Sequence, residues 1–408
     1  MYQASLPVAT SLLFVHPVRC GFKAHPLASH TLVENCTMFG KYRKKVDPNF
    51  NAINALTSDR ELDVATTFNS PVILRELKWN AVYLVEIDNN QYILKYENHS
   101  QKLRGIKRTE NRNQKLIRLG WDQNAKLFVK KGIEIASMLV AYVMEDPVHK
   151  KFRLLSKNES AIFIDRINKK RQSEPQNYRG GVPEFDVQVE FRQTNTAYIM
   201  PLIGDLYACK DPQSEDEDLE VLDIVSRFYR PDFNFESFGR LIICDMFLCN
   251  LDRFYDLHND HDRGTTNFGN FFIVDSPPRF INLDFIDTQT SFTFLLGVSW
   301  NKILNTLNTE DEYLRICENN MISLQPGSKS IRQKVARRAL NELWQSINNV
   351  RNITVPRTPP PGALKQVQDG MERGLKQLQN FARAANQGIE EDQFRLGLLT
   401  RFTAAGLL

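Results

Sequence analysis

The chain has 408 residues, a formal net charge of +4 at pH 7, 42% hydrophobic residues and 25% charged residues. This length suffices for one large or two ordinary domains, and the composition is typical of a folded globular protein. The small net charge argues against nucleic acid as the main partner, and no transmembrane segment is expected because the longest apolar run, Ile133–Met144, is shorter than roughly 18 residues.

The first 65 residues show no clear periodic pattern. Met1–Cys20 has an apolar centre, but no basic residue precedes that centre, so the positive start of a secretory signal is missing. We expect a flexible leader, although a leader read by a dedicated export system would look equally plain. The six cysteines form no CxxC pair and have no zinc-like spacing to histidine. Cys244 and Cys249 lie within an apolar run, which predicts buried thiols in a reducing compartment.

A hairpin is predicted near the start of the patterned part, after a short apolar run at Val72–Leu74. Val82–Ile87 and Tyr92–Tyr96 are both rich in apolar residues of high β-propensity. Asp88–Asn90 lies between them, and Asp and Asn tolerate the left-handed backbone of a hairpin turn. Lys95 is therefore expected on the second strand of this hairpin.

Shorter patterns follow the hairpin. Thr109–Leu119 has a capping threonine, an acidic first turn and a following glycine, which predicts a helix. Lys126–Val129 and Ser137–Val143 are strand candidates, and the longer apolar run Ile133–Met144, which contains the second, indicates a buried strand or a buried helix. Tyr198–Gly204 is a further apolar run, which indicates either an ordinary buried strand or a hinge between two lobes.

The second half of the chain is mainly helical in pattern. Phe235–Cys249 and Ile331–Val350 have apolar residues at helical spacing, and the second segment is basic and amphipathic. Val355–Gly362 is a stiff, proline-rich linker that cannot continue a helix. Two helical segments, Ala363–Ala385 and Glu390–Leu399, are predicted beyond it.

The most informative pattern lies between these helices. The apolar helix leads to Asn250–Arg253, a Gly269-Asn270 pair opens a strand, and a second apolar run ends on Asp284. One Asp beside a short loop, then an Asn, then an Asp at a strand end is the order of groups that phosphoryl transfer from ATP needs. This order predicts a kinase.

Each residue of the pattern has a role in that chemistry. Asp252 would orient the attacking hydroxyl and accept its proton, while Asn270 and Asp284 would supply oxygen ligands to Mg²⁺. Arg253 would hold the loop by pairing with a carboxylate or a phosphate, and Asn250 would fix the loop backbone. The alternative is a solvated Asp252 that merely pairs with Arg253. We assign Asp252 and Arg253 as catalytic and Asn270 and Asp284 as metal ligands.

A nucleotide site is predicted in the first half of the chain. Lys95 would bind the α- and β-phosphates, and Glu110 is the best carboxylate to orient it, with Glu97 as a rival. The alternative is that Lys95 points to solvent, as most strand lysines do.

The hinge interpretation of the later apolar run would place ATP's adenine there. Pro201 has no N–H, so the backbone groups of Met200 and Leu202 are the candidates for bonding the adenine edge. An ordinary buried strand would leave no such role.

The runs FGRLIICDMFLCNLDRF, FGNFFI and INLDFID resemble the atypical protein kinase-like superfamily, and most closely the actin-fragmin kinase catalytic domain. Type II phosphatidylinositol kinases, Golgi secretory-pathway kinases and HipA-like kinases are more distant relatives. The likeness covers roughly residues 72–294. It implies that Asp252 is the catalytic base, that Asn270 and Asp284 bind magnesium, and that Lys95 binds phosphate.

Three features keep other functions open. No glycine lies between Leu74 and Val85, so a glycine-rich phosphate loop is missing and a pseudokinase acting as a binding module is an alternative. A lipid or inositol kinase is another, because the superfamily contains them and a basic helix could meet an acidic membrane; its residues are Arg332, Lys334, Arg337 and Arg338. The loop with His258 and His261 indicates either a metal site or a solvated segment.

We therefore expect a two-lobed, α+β, protein-kinase-like fold with a helical C-terminal extension. Its parts would be a leader (1–65), an N-lobe (66–203), a C-lobe (204–352), a proline-rich linker (353–362) and a C-terminal helical segment (363–408). The expected activity is ATP- and Mg²⁺-dependent phosphorylation of Ser or Thr in a protein substrate, such as a host or cytoskeletal protein like actin. We expect a monomer with no nucleic-acid partner and at most peripheral membrane contact, in the cytoplasm or, for a bacterial effector, delivered into that of a host cell.

Overall fold

The described residues form thirteen stretches of the chain, all of them within the compact unit Lys41–Leu408. The computed structural model describes residues 71–78, 82–98, 136–145, 153–155, 157–173, 195–202, 206–209, 215–251, 253–259, 266–283, 312–348, 355–388 and 393–408.

An antiparallel five-stranded sheet in the order β1-β2-β3-β5-β4 is the first element of the fold. Its strands are β1 (Val72–Lys78), β2 (Val82–Ile87), β3 (Asn90–Asn98), β4 (Arg153–Leu154) and β5 (Asn195–Pro201). Successive side chains of a strand point to opposite faces, so each face of this sheet collects every second residue. One face of the sheet packs against the helix Lys157–Ser173. The buried residues at this contact include Tyr83 and Leu94 of the sheet and Phe163 of the helix.

The β2–β3 hairpin is as predicted. Asp88 and Asn89 have φ values of +49° and +60°, the left-handed conformation that a two-residue hairpin turn needs at both central positions. The side chain of Asn90 donates a hydrogen bond to the carbonyl of Asp88 at 3.0 Å. Because this turn fixes the register, Lys95 lies opposite Val82.

A second, three-stranded sheet and a group of helices follow. The sheet has the order β6-β7-β8, with β6 (Leu206–Cys209), β7 (Phe271–Asp275) and β8 (Pro278–Ile281). The helices in the described segments are α1 (136–144), α2 (Lys157–Ser173), α3 (Glu215–Phe228), α4 (Glu236–Leu248), α5 (Glu312–Leu324), α6 (Lys329–Asn348), α7 (Ala363–Gly388) and α8 (Gln393–Ala404). The fold is thus mixed α+β.

Helix α4 is the centre of the helical part, since its residues from Ser237 onward are all buried. Aromatic rings fill the space between its start and β8. The ring centroids of Phe238 and Phe280 are 4.8 Å apart, and those of Phe228 and Phe233 are 5.0 Å apart. Such pairs contribute packing energy beyond the buried area alone.

Helices α4 and α7 touch backbone to backbone at two glycines. A Cβ atom added to Gly239 would lie 2.1 Å from the carbonyl oxygen of Val367. A Cβ atom added to Gly370 would lie 2.1 Å from the carbonyl oxygen of Glu236. The predicted C-terminal extension is therefore packed directly on the helix that leads to the candidate catalytic loop.

One sequence-based interpretation needs correction. Ser137–Val143 was expected to be a strand, but these residues form helix α1. The run is buried on nearly all sides, so no polar face marks the helical period. The proline-rich residues 355–362 are not helical, as predicted. They contact α6, because the Trp344 indole donates a hydrogen bond to the carbonyl of Pro356 at 2.9 Å.

Other sequence-based expectations have separate outcomes. The predicted elements Thr109–Leu119 and Lys126–Val129 lie outside the described residues. In the described part of the chain, no helix is both long enough and apolar enough to cross a membrane.

Candidate functional site

The candidate loop begins where helix α4 ends. Cys249 caps the helix in the left-handed conformation, with φ +50° and ψ +42°. The backbone N–H of Asn250 then donates to the carbonyl of Asp245 at 2.8 Å, closing the helix end. This position usually belongs to glycine, and a residue with a side chain there costs of order 1–3 kcal/mol of strain, a feature that clusters at functional sites.

Arg253 connects the segments around this loop. Its side chain is 0% exposed, and its Nη1 forms an ion pair with the carboxylate of Asp245 on α4. Its Nε donates to the backbone carbonyl of Asn270 at 3.0 Å, and its Nη2 donates to Oδ1 of Asn282 just after β8. One guanidinium thus fixes three separate stretches of chain against each other.

The buried position of Arg253 corrects its assignment as a catalytic residue. All three nitrogens of its guanidinium bond to other parts of the protein, so Arg253 is a positioning residue. Of the two partners expected for it, a carboxylate or a phosphate, the structure shows the carboxylate, Asp245.

Two residues of this frame were not recognised in the sequence. Asp245 accepts hydrogen bonds from Arg253 and, at 3.2 Å, from the amide of Asn250. Asn282 accepts from Arg253 on the opposite side. The available signal was one carboxylate within the apolar run Leu241–Leu248, because a buried charge requires a buried partner.

Asn270 lies where the sequence pattern expected it, at the end of a short 3-10 turn immediately before β7. Asn270 is 1% exposed, and its backbone N–H donates to the carbonyl of Asn267 at 3.1 Å. The preceding loop is fixed in turn, since the backbone N–H of Asn267 donates to the carbonyl of Arg253 at 3.0 Å. Asn270 and the Arg253 loop are therefore neighbours.

Helix α6 supports the same loop from outside. The hydroxyl of Thr266 donates to Oε2 of Glu342 at 2.9 Å, and Oε1 of Glu342 pairs with Nε of Arg338 at 2.8 Å. Arg332, earlier on the helix, is buried and makes a two-point ion pair with Glu372 of α7. Two of the basic residues considered for membrane contact are therefore bound within the protein.

Lys95 does not follow the usual behaviour of a strand lysine, because it is only 4% exposed. Its register partner on β5 is Tyr198. Ile93 shares this face of the sheet with its register partners Leu84 and Met200. A buried lysine thus stands on an otherwise largely apolar face, opposite the face that packs on α2.

The predicted adenine donors are corrected by the hydrogen bonding of β5. The N–H of Leu202 donates to the carbonyl of Gln91 at 2.9 Å, so this donor belongs to the sheet. Met200, two residues earlier, lies opposite Ile93 and directs its backbone groups to the same neighbouring strand. Neither backbone N–H is available to a nucleotide base.

Three predicted site residues, Asp252, Glu110 and Asp284, lie outside the described residues, as does the side chain of Glu97. Among the residues that are described, no group of three or more His, Cys, Asp and Glu side chains could hold a metal ion. The two carboxylates that the sequence pattern assigns to the chemistry, Asp252 and Asp284, are not among these described residues.

The loop after Arg253 packs onto α5. Nε2 of His258 lies 2.9 Å from Oδ1 of Asn320, and the backbone N–H of His258 donates to Oδ1 of Asp256. Asp256 is also paired with Arg315 at 3.2 Å. His258, which lies in the described part of this loop, is therefore held against α5 by its contact with Asn320.

Burial lowers the pKa of His258 below its ordinary value, although Asn320 and Asp256 oppose the shift and Arg315 and Arg338 add to it. Below about pH 6.5 the unfolded chain takes up a proton that the folded protein resists. We expect the stability that neutral, buried His258 contributes to be complete above this pH and to be lost as the pH falls through the pKa of His258 in the folded protein. When the pH is lowered from about 7.5 to about 5.5, the free energy of unfolding measured in urea should fall less for His258→Gln than for wild type. Equal losses in both proteins would contradict this prediction.

No family model, curated protein or solved structure matches the chain. We therefore infer its function from the arrangement of its own side chains.

Proposed function

We propose that the protein is an ATP- and Mg²⁺-dependent phosphotransferase with a two-lobed, kinase-like fold, acting on hydroxyl groups of a protein substrate. The observation that carries this proposal is the set of contacts made by Arg253. It binds the backbone of Asn270 directly, it follows Asp252 in the sequence, and it binds Asn282, which is two positions before Asp284. One buried side chain therefore links the three chain segments on which a base and two magnesium ligands are expected.

Each residue then has a defined task. Asp252 orients the acceptor hydroxyl and takes its proton as the phosphorus–oxygen bond forms. Asn270 and Asp284 would hold magnesium, to which amide and carboxylate oxygens are suited; when bound, the ion neutralises phosphate charge. The rigid position of Asn270 supports this role, since ligands that are fixed before binding need little reorganisation.

The sheet supports the nucleotide half of the proposal. Lys95 is buried on an otherwise largely apolar face, beside Ile93 and Met200. A buried ammonium group on a paired strand is a positive charge held in a fixed place, which suits a side chain that binds the phosphates of ATP. The adenine would be bound by groups other than the backbone N–H of Leu202, which the sheet already uses.

Lys95→Met is expected to weaken binding of Mg²⁺-ATP by about tenfold or more, which corresponds to about 1.4 kcal/mol, because the phosphates lose their cation. Isothermal titration calorimetry on the full chain measures this directly. The matched control is Lys365→Met, which removes a lysine whose side chain is 78% exposed and paired only on the surface with Asp369.

Wild-type affinity in a folded Lys95→Met protein would remove Lys95 from the nucleotide site. Loss of affinity in both variants would point to a general effect of charge. Circular dichroism of each variant separates lost binding from lost folding.

A further inference from the structure

Two cysteines and an arginine meet beneath the candidate loop. Cys249, the residue that caps α4, receives a hydrogen bond from Nη2 of Arg401 on α8, with an N–S distance of 3.0 Å. Cys317 on α5 is within hydrogen-bonding reach of the Cys249 sulfur. Both cysteines are buried and neither is in a disulfide bond, and Arg401 is 1% exposed. The three side chains come from three different helices.

The guanidinium changes the chemistry of the Cys249 thiol. Arginine stays protonated in proteins, and a buried cation favours an anion beside it. Burial alone raises the pKa of Cys249, but the hydrogen bond with Cys317 and the charge of Arg401 outweigh it and lower the pKa.

Cys244 provides an internal comparison on the same helix. It is also a buried free thiol, but burial and the neighbouring Asp245 raise its pKa well above the ordinary value. Since the thiolate is the reactive form of cysteine, the two buried thiols should differ in reactivity although both are shielded from solvent.

We propose that Cys249 and Cys317 form a peroxide-reactive dithiol site that closes to a disulfide. The Cys249 thiolate attacks one oxygen of hydrogen peroxide; the O–O bond breaks, hydroxide leaves and Cys249 becomes a sulfenic acid. The sulfur of Cys317 then attacks the Cys249 sulfur; the S–O bond breaks, and the departing oxygen takes the Cys317 proton and leaves as water. In total two thiols and one peroxide give one disulfide and two waters.

Access to the site depends on α8. The ring of Phe402 stacks on Phe247 with centroids 4.9 Å apart, one residue from Arg401, so α8 packs close to Cys249. Hydrogen peroxide is small and can reach the sulfur during brief local openings of α8. The site therefore reacts with peroxide in the folded protein.

The test treats the folded full-length protein with hydrogen peroxide, blocks remaining thiols with iodoacetamide in denaturant, and maps the peptides by mass spectrometry. We expect a Cys249–Cys317 linked peptide that dithiothreitol releases, while Cys244 remains open to alkylation. In Cys317→Ser the reaction should stop at a Cys249 sulfenic acid, which dimedone traps. Arg401→Gln should slow the oxidation of Cys249 roughly tenfold, whereas Arg401→Lys, which keeps the charge, should slow it less.

Cys244→Ser is the matched control and should leave the linked peptide unchanged. The proposal is overturned if no Cys249–Cys317 link forms, or if Cys244 is oxidised as fast as Cys249, which would mean that oxidation follows general unfolding. It is also overturned if a folded Arg401→Gln protein reacts at the wild-type rate. These readouts do not depend on phosphotransfer, so the dithiol site and the proposed function can fail separately.

Discussion

Arg253→Met is expected to lower the free energy of unfolding by about 3–5 kcal/mol. The substitution removes the partner of a buried carboxylate, Asp245, and leaves that charge without its ion pair. It also removes the donors to Asn282 and to the backbone of Asn270, so two buried acceptors lose their bonds. Urea-induced unfolding measures the change.

The control for Arg253 is an arginine whose own side chain is partly exposed. Arg315 on α5 pairs with Asp256, but its side chain is 44% exposed, and Arg315→Met should cost about 1 kcal/mol, less than Arg253→Met. Asp245→Asn should cost less than Arg253→Met, because it removes the charge and keeps the side-chain shape. Equal small losses for Arg253→Met and Arg315→Met would show that Arg253 is not the centre of the site.

Gly370→Ala is the second substitution with a large expected effect, about 3 kcal/mol of lost stability. Its new methyl group would meet the backbone carbonyl of Glu236, and backbone atoms of a packed helix cannot rotate away as a side chain can. The better helix propensity of alanine, about 1 kcal/mol, offsets only part of this cost. Because α4 carries the candidate loop at its other end, separation of α4 and α7 should also lower any activity.

Gly327→Ala is the matched control, since nothing lies within 4 Å of the position where its methyl group would be. Thermal unfolding of the two variants separates steric overlap from a general effect of replacing glycine. A Gly370→Ala protein with wild-type stability would contradict the close contact between α4 and α7.

The elements that were predicted correctly are those whose residues have conformational preferences or an apolar pattern that match the structure they adopt. The β2–β3 hairpin was predicted because Asp88 and Asn89 suit left-handed turn geometry, and both have positive φ values. Helix α4 was predicted within one residue at each end, as Glu236–Leu248 against Phe235–Cys249. Helix α1 was mistaken for a strand because it is buried on nearly every side, which removes the polar face that reveals a helical period.

The candidate site was predictable only in part for a related reason. Asn270 and Arg253 stand out in the sequence because each lies in a polar break between apolar runs. Asp245 and Asn282 do not, since their importance arises from contacts across 8 and 29 positions of the chain. The use of the Leu202 N–H is also a property of strand pairing, which no local pattern in β5 could reveal.

Phosphate transfer from labelled ATP is the most direct test of the proposed function. The wild-type chain and Asp252→Asn are incubated side by side with magnesium and a eukaryotic cell lysate that includes actin. We predict labelled protein bands with the wild type and a loss of about 100-fold or more in Asp252→Asn, with both proteins folded. Label in neither protein nor lipid despite tight ATP binding, or equal labelling by both proteins, would contradict a phosphotransferase that uses Asp252 as its base.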